Sequence, residues 1–143
     1  MLKGISKLIS PELLKILMEM GHGDEIVLAD ANFPAESIGS RVVRADGLPI
    51  PELLDAILRL FPLDTYVEKP AVLMAVVPGD PVSTPIWNVY RNIIRHHTGL
   101  EAPFELLERF AFYERAKDAY AVVATGEAAP YANIILKKGV IVG

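Results

Sequence analysis

At 143 residues, 52% hydrophobic and 22% charged, the chain is long enough for one buried core and too apolar to be disordered. A formal net charge of −4 disfavours non-specific nucleic-acid binding; the absence of cysteine excludes disulfides and a thiol nucleophile, and fits a reducing cytoplasm. No apolar run reaches the roughly 18 residues of a membrane span, and Met1-Leu2-Lys3-Gly4-Ile5-Ser6 lacks the apolar region of a secretory leader, so a cytoplasmic protein with no membrane partner is expected.

In chain order, Ser10-Pro11-Glu12-Leu13-Leu14 opens a helix. Ser10 supplies the cap, Pro11 the first helical position, and Glu12 a negative charge at the positive end of the dipole. Leu13, Leu14, Ile16, Leu17 and Met20 form its apolar face. Gly21 stops it, with Gly21 or Gly23 as a left-handed cap. Ile26 to Ala29 reads as a buried strand. Polar groups crowd both of its ends: His22 and Asp24 before it, Asp30 and Asn32 after it, with Pro34 closing the turn. Ser37 to Ser40 reads as loop, Arg41 to Arg44 as a short strand, and Ala45 to Pro49 as a turn. Pro51 to Leu60 is a second amphipathic helix, ended by Pro62.

The continuous apolar run Ala71 to Val77 predicts a central strand, ended by Pro78-Gly79-Asp80-Pro81. A third helix starts at Thr84-Pro85-Ile86 and reaches about His97. Adjacent residues on a helix point about 100° apart, so His96 and His97 do not chelate one metal ion; a solvated helix end is expected. Phe104 to Phe110 fits strand or helix. Arg109, among apolar residues, is expected to be partly buried, the alternative being a surface ion pair with Glu105 or Glu108. Tyr113 to Asp118 reads as a short helix, Ala119 to Glu127 as a strand ending in a turn, and Ile134 to Val142 as a terminal strand or hairpin. Helices alternate with strands, so the class is α/β: a central β-sheet flanked by helices in a single domain, residues 1–143.

There is no GxGxxG, no P-loop and no GxSxG elbow, so dinucleotide, phosphoryl-transfer and serine-hydrolase chemistry lose their main support. What remains is histidine, carboxylates, asparagine, tyrosine and one candidate arginine. That set suits a neutral polyhydroxylated ligand such as a sugar, and acid/base chemistry without a cofactor. Taken singly, His22 fits a helix cap, and Tyr131 and Asn133 fit a turn. The concentration of His22, Asp24, Asp30 and Asn32 around one strand favours a site. A mean hydropathy of +0.33 is high for a small monomer and predicts a homo-oligomer.

Seven blocks carry a resemblance. They are Ser10-Pro11-Glu12-Leu13-Leu14, Gly21-His22-Gly23-Asp24-Glu25-Ile26, Ala29-Asp30-Ala31-Asn32-Phe33-Pro34, Arg44-Ala45-Asp46-Gly47, Arg109 to Ala116, Thr125-Gly126-Glu127 and Tyr131 to Val140. In this order, over nearly the whole chain, they resemble the RbsD/FucU family of ribose pyranases and fucose mutarotases. The Arg109-Phe110-Ala111-Phe112-Tyr113-Glu114-Arg115-Ala116 block is similar to the fucose branch rather than the ribose branch. The resemblance implies an RbsD-like fold and a cytoplasmic isomerase without cofactor or metal. Its implied activity is interconversion of the α and β anomers of a free monosaccharide, L-fucose, with D-ribose pyranase activity or sugar binding without turnover as alternatives. It implies ring-shaped homo-oligomers, typically decamers, with sites between subunits. Carried onto this chain, His22 matches the catalytic histidine, and Asp30, Arg109, Tyr131, Ala132 and Asn133 match sugar-binding positions.

Overall fold

The computed structural model describes residues 1–143. Its elements run α1 (Pro11–Glu19), β1 (Glu25–Ala29), α2 (Ala35–Ile38), β2 (Val42–Ala45), α3 (Ile50–Leu58), β3 (Ala71–Met74), α4 (Pro85–Thr98), β4 (Phe104–Leu107), α5 (Arg109–Asp118), β5 (Ala121–Thr125) and β6 (Ile134–Lys137). The strands form one six-stranded sheet in the order β2-β5-β1-β6-β3-β4. All neighbours are parallel except β6, which runs antiparallel between β1 and β3.

Successive strand residues point to opposite faces, and here both faces are covered. Ile26, Leu28, Leu73, Val123, Ile134 and Leu136 pack under α1, α3 and α4. Val27, Val72, Met74, Val122 and Ile135 pack on the other face, under Phe33, Ala35 of α2, and Phe112 and Ala116 of α5. That double burial is why the inner strands read as unbroken apolar runs. Packing of this kind is what the expected α/β sheet flanked by helices requires.

Local signals held where they were local. The Ser10 side chain accepts a hydrogen bond from the Leu13 N–H, with Pro11 in the first turn. Gly99, left-handed at φ 79°, closes α4. Elsewhere tertiary contacts decided. Neither Gly21 nor Gly23 caps α1: Met20 ends it in extended backbone, and Lys138 Nζ reaches across to donate to the Leu17 and Met20 carbonyls. Gly23, at φ 87°, serves the turn into β1 instead. Ser37 and Ile38, read as loop, belong to the single turn α2, where the Ile38 N–H bonds the Pro34 carbonyl. The run Ala71 to Val77 is a strand only to Met74, second from the sheet edge rather than central. The Ala75 N–H still donates to the Leu107 carbonyl; beyond it the chain leaves the ladder, and Val77 reaches a cleft. Phe104 to Leu107 is strand, α5 begins at Arg109 rather than Tyr113, and the C-terminal segment is one strand without a hairpin. His97 is not solvated: it is 15% exposed, and its Nε2 lies 2.8 Å from the Asp55 carboxylate, tying α4 to α3.

Candidate active site

Because β6 runs against its neighbours, its first residues meet the C-terminal ends of β1 and β3 at one edge of the sheet. Open α/β sheets collect ligands at that edge. A cleft of about 230 Å³ opens there, lined by Asp30 and Asn32 after β1, Phe33, Met74 and Val77 around β3, Arg109 and Tyr113 on α5, and Tyr131 and Asn133 before β6. It is smaller than the roughly 300–1,000 Å³ of pockets for drug-sized ligands, and suits a monosaccharide.

Asn133 is buried, and its Oδ1 accepts the Asp30 N–H at 2.7 Å across 103 residues of sequence. The Asp30 carboxylate in turn accepts the Asn32 N–H at 3.0 Å. Burial pushes the Asp30 carboxyl above the ordinary carboxylate range, and the Glu127 charge adds to this. Hydrogen bonds from the Asn32 and Phe33 backbone and the Asn133 side chain pull the other way without cancelling it. The Thr125-Gly126-Glu127 block builds this corner. The Thr125 hydroxyl donates to the Ala29 carbonyl, the Glu127 carbonyl takes the Ala31 N–H, and its carboxylate caps α3 at the Ile50 N–H.

Tyr131 is the one non-glycine residue with positive φ, at 54°. Such a conformation persists only where its surroundings fix it. Here α4 does so with two aromatic donors one turn apart: Trp87 Nε1 donates to the Tyr131 carbonyl at 2.8 Å, and the Tyr90 hydroxyl to the Ala132 carbonyl at 2.7 Å. The Tyr131 hydroxyl donates to Asp80 at 2.6 Å and accepts the Val77 N–H at 3.2 Å. The bond to Asp80 holds the Tyr131 phenol above its usual pKa. Burial does the same, more strongly, to Tyr90. Ala132 has its side chain in the core and its carbonyl on Tyr90, so it offers a ligand only backbone.

Arg109 is neither buried nor ion-paired. It is exposed, its Nε donates to the Tyr113 hydroxyl at 3.2 Å, and its guanidinium lies over the Phe110 and Tyr113 rings. Glu105 instead lies near Arg115, and Glu108 caps α5 through the Phe110 and Ala111 N–H groups.

His22 does not line this cleft. It sits at the other end of β1, beside the ladder bonds that join Gly23 and Asp24 to Lys138. At roughly 3.3 Å per residue, the five residues of β1 put about 15–20 Å between His22 and Asp30. The imidazole Nε2 meets the buried Asp64 carboxylate at 3.1 Å, with Tyr66 against the ring. The fold brings Asp30, Arg109, Tyr131 and Asn133 to one cleft, leaves Ala132 beside it with its side chain in the core, and puts His22 on a separate rim. Sequence reasoning missed Asp64, Asp80, Trp87 and Tyr90. Only the last two left a signal, as aromatics with polar tips at i and i+3.

The raised Asp30 carboxyl has a consequence for stability. Its folded value lies above its unfolded one, so ionisation costs stability at neutral pH, and the cost shrinks as pH falls below the folded value and is gone below the unfolded one. Asp30→Asn is therefore expected to raise the melting temperature at pH 7, with the gain shrinking towards pH 4. Calorimetry at both pH values checks it; a lower melting temperature at pH 7 counts against it.

The sequence matches the model of the RbsD / FucU transport protein family over residues 3–141. It is 58% identical over 146 aligned residues to the fucose mutarotase of Homo sapiens, covering 98% of this chain and 94% of that protein. The fold matches FucU from Bifidobacterium longum with a TM-score of 0.96 at 62% identity, covering 98% of this chain and 100% of that one. It matches the Streptococcus pneumoniae fucose mutarotase, solved in complex with L-fucose, with a TM-score of 0.95 at 58% identity, covering 99% and 100%. A match of this extent reaches both rims, the cleft at Asp30 and the turn at His22, so the chain belongs to the RbsD / FucU transport protein family.

Proposed function

We propose that the protein is an isomerase interconverting the α and β anomers of free L-fucose. The observation that carries the reading is the cleft: a carboxyl held above its usual range, a buried carboxamide, a phenol and a guanidinium face one small volume. These are partners for neutral hydroxyls, and two relatives with matching folds or sequences are fucose mutarotases.

In mutarotation the anomeric hydroxyl loses its proton, the C1–O5 bond breaks, and O5 takes a proton. The open aldehyde turns about C1–C2 and the ring recloses on the other face. Asp30, Arg109, Tyr131, Asn133 and the Ala132 backbone hold the sugar. His22 moves the proton, a task an imidazole performs near neutral pH. It acts on the cleft of a neighbouring subunit, because its own cleft is out of reach. Exposed aromatics on both rims support such a contact: Tyr66, 75% exposed, beside His22, and Phe110, 67% exposed, beside Arg109. The working unit is then a homo-oligomer, for which the family resemblance implies a decameric ring. The domain spans residues 1–143. No helix is long and apolar enough to cross a membrane, and a cysteine-free chain suits the cytoplasm.

Saturation-transfer NMR on equilibrated L-fucose and D-ribose tests the activity. Faster anomer exchange for fucose than for ribose is the expected result. Preference for ribose reassigns the protein to pyranose–furanose exchange, and binding without acceleration makes it a sugar-binding protein. Co-expressing His22→Ala with Asp30→Asn tests the shared site. Random mixing in a ring restores about a quarter of the sites if they are shared, and none if each subunit acts alone.

A further inference from the structure

On the reading that Tyr131 meets L-fucose in the cleft, we propose that Asp80 is the positioning residue of Tyr131: its carboxylate takes the phenol hydrogen, so the hydroxyl oxygen meets the sugar as an acceptor only. Asp80 itself does not line the cleft.

The geometry is a turn clamped at both ends by one hydroxyl. Beyond β3 the chain makes the turn Val77-Pro78-Gly79-Asp80, with Gly79 at φ 88° and the Asp80 N–H on the Val77 carbonyl at 3.0 Å. Proline followed by a left-handed glycine is the pattern of a type II turn. The Tyr131 hydroxyl spans it: it donates to Asp80 Oδ2 at 2.6 Å and accepts the Val77 N–H at 3.2 Å. The backbone of the tyrosine is fixed as well, since Trp87 Nε1 donates to the Tyr131 carbonyl at 2.8 Å. Val77 and Tyr131 both line the cleft, so the hydroxyl that joins them lies at its wall.

The chemistry follows from counting donors and acceptors. A phenol has one hydrogen to give and two lone pairs to accept with, and a carboxylate has no hydrogen to give. Asp80 takes the one hydrogen and the Val77 N–H takes one lone pair, which leaves a single lone pair for a ligand. The bond to Asp80, helped by burial and by the Asp80 charge, holds the phenol above its ordinary range against the Val77 N–H and the Arg109 charge, so the hydrogen stays on the oxygen at neutral pH. The Arg109 guanidinium on the same cleft can only donate. Sugar hydroxyls that receive from a guanidinium still have their own hydrogens to place, and an acceptor at Tyr131 takes one of them. Without Asp80 the phenol turns freely between donating and accepting, and its turn loses one of the two bonds that pin it.

The test is a double-mutant cycle on the assembled protein, with L-fucose exchange resolved into kcat and KM for the wild type, Asp80→Ala, Tyr131→Phe and the pair. Asp80→Ala is expected to raise KM about 3–10-fold, the worth of one hydrogen bond, with kcat within about twofold of the wild type. In the Tyr131→Phe background the same change is expected to move KM by less than about twofold, because the hydroxyl through which Asp80 acts is gone. Asp80→Asn, whose amide oxygen accepts the same hydrogen, is expected to restore most of the KM. The 13Cζ resonance of Tyr131, assigned by its loss in Tyr131→Phe, is expected to shift in Asp80→Ala and to return towards the wild-type position in Asp80→Asn. Binding of L-fucose analogues with fluorine in place of one hydroxyl, at C1, C2, C3 or C4, needs no Asp80 variant. Fluorine cannot donate, so one position is expected where it weakens binding to the wild type but not to Tyr131→Phe. A folded Asp80→Ala protein with wild-type KM overturns the proposal, as does a KM effect of equal size in both backgrounds or a fluorine series with no such position. If the wild type neither binds nor turns over L-fucose, the fucose reading itself falls. If Tyr131→Phe raises KM while Asp80→Ala does not, only the role of Asp80 falls.

Discussion

Replacing His22 with alanine is expected to slow L-fucose exchange by about 10²–10⁴-fold, the usual worth of a positioned acid/base group. Sugar binding should survive, because every side chain lining the cleft remains. The fold should survive too. His22 is 44% exposed at the side chain and lies in a turn between two glycines. Its removal leaves Asp64 with the Tyr66 N–H as partner, and a lost hydrogen bond to a buried carboxylate costs about 1–3 kcal/mol. The expected pattern is a large fall in kcat, little change in the dissociation constant for fucose, and a melting temperature a few degrees lower. Exchange NMR, a sugar titration and calorimetry on one preparation separate the three. Full kcat in a folded His22→Ala protein removes the histidine from the chemistry.

Phe112→Ala is expected to be the most damaging single truncation near the cleft. Phe112 is fully buried, and it and Ala116 are the two buried residues of α5. Its ring packs edge-on to Phe33 at 6.2 Å, and Phe33 lines the cleft. Truncation of a buried phenylalanine costs about 3–5 kcal/mol, a large share of the roughly 5–15 kcal/mol that holds a domain together. The midpoint of thermal unfolding should fall by roughly 10–20 °C. Function should suffer before unfolding, because α5 carries Arg109 and Tyr113 into the cleft. Phe112→Leu, which refills most of the space, should recover much of both losses. An unchanged midpoint for Phe112→Ala would mean that α5 is anchored some other way, with the Arg115 pairing to Glu25 at 2.7 Å as the first candidate.

The parts of the structure legible in the sequence were those written over a few consecutive residues. Ser10-Pro11-Glu12 fixes the start of α1 without help from the rest of the chain. Ile26 to Ala29 reads as buried because both faces of β1 are covered. What was hidden depends on residues far apart meeting. His22 and Asp64 are 42 positions apart, as are His97 and Asp55, and no local periodicity marks either pair. The early end of β3 is set by the Tyr131 hydroxyl, which takes the Val77 N–H from 54 positions away. The left-handed backbone of Tyr131 is equally non-local, since tyrosine carries no preference for it and α4 imposes it. The site was half legible for the same reason. The block resemblance singled out Asp30, Tyr131 and Asn133, which line one cleft, but closeness of His22 to Asp30 in sequence concealed that a strand carries them to opposite rims.

The strand order also governs how the chain is born. β1 is flanked by β5 and β6, so both of its partners are made long after it. The bond between Ala29 and Thr125 spans 96 positions, and that between Asp30 and Asn133 spans 103. Until Lys137 has left the ribosome, the innermost strand has no complete place in a sheet. A nascent chain halted at Asp118 displays the Ile26 to Leu28 edge with nothing to pair it. Folding is therefore governed by non-local closure rather than by early helices. Arrest of translation just before β5 is the moment when the polypeptide has most need of a chaperone.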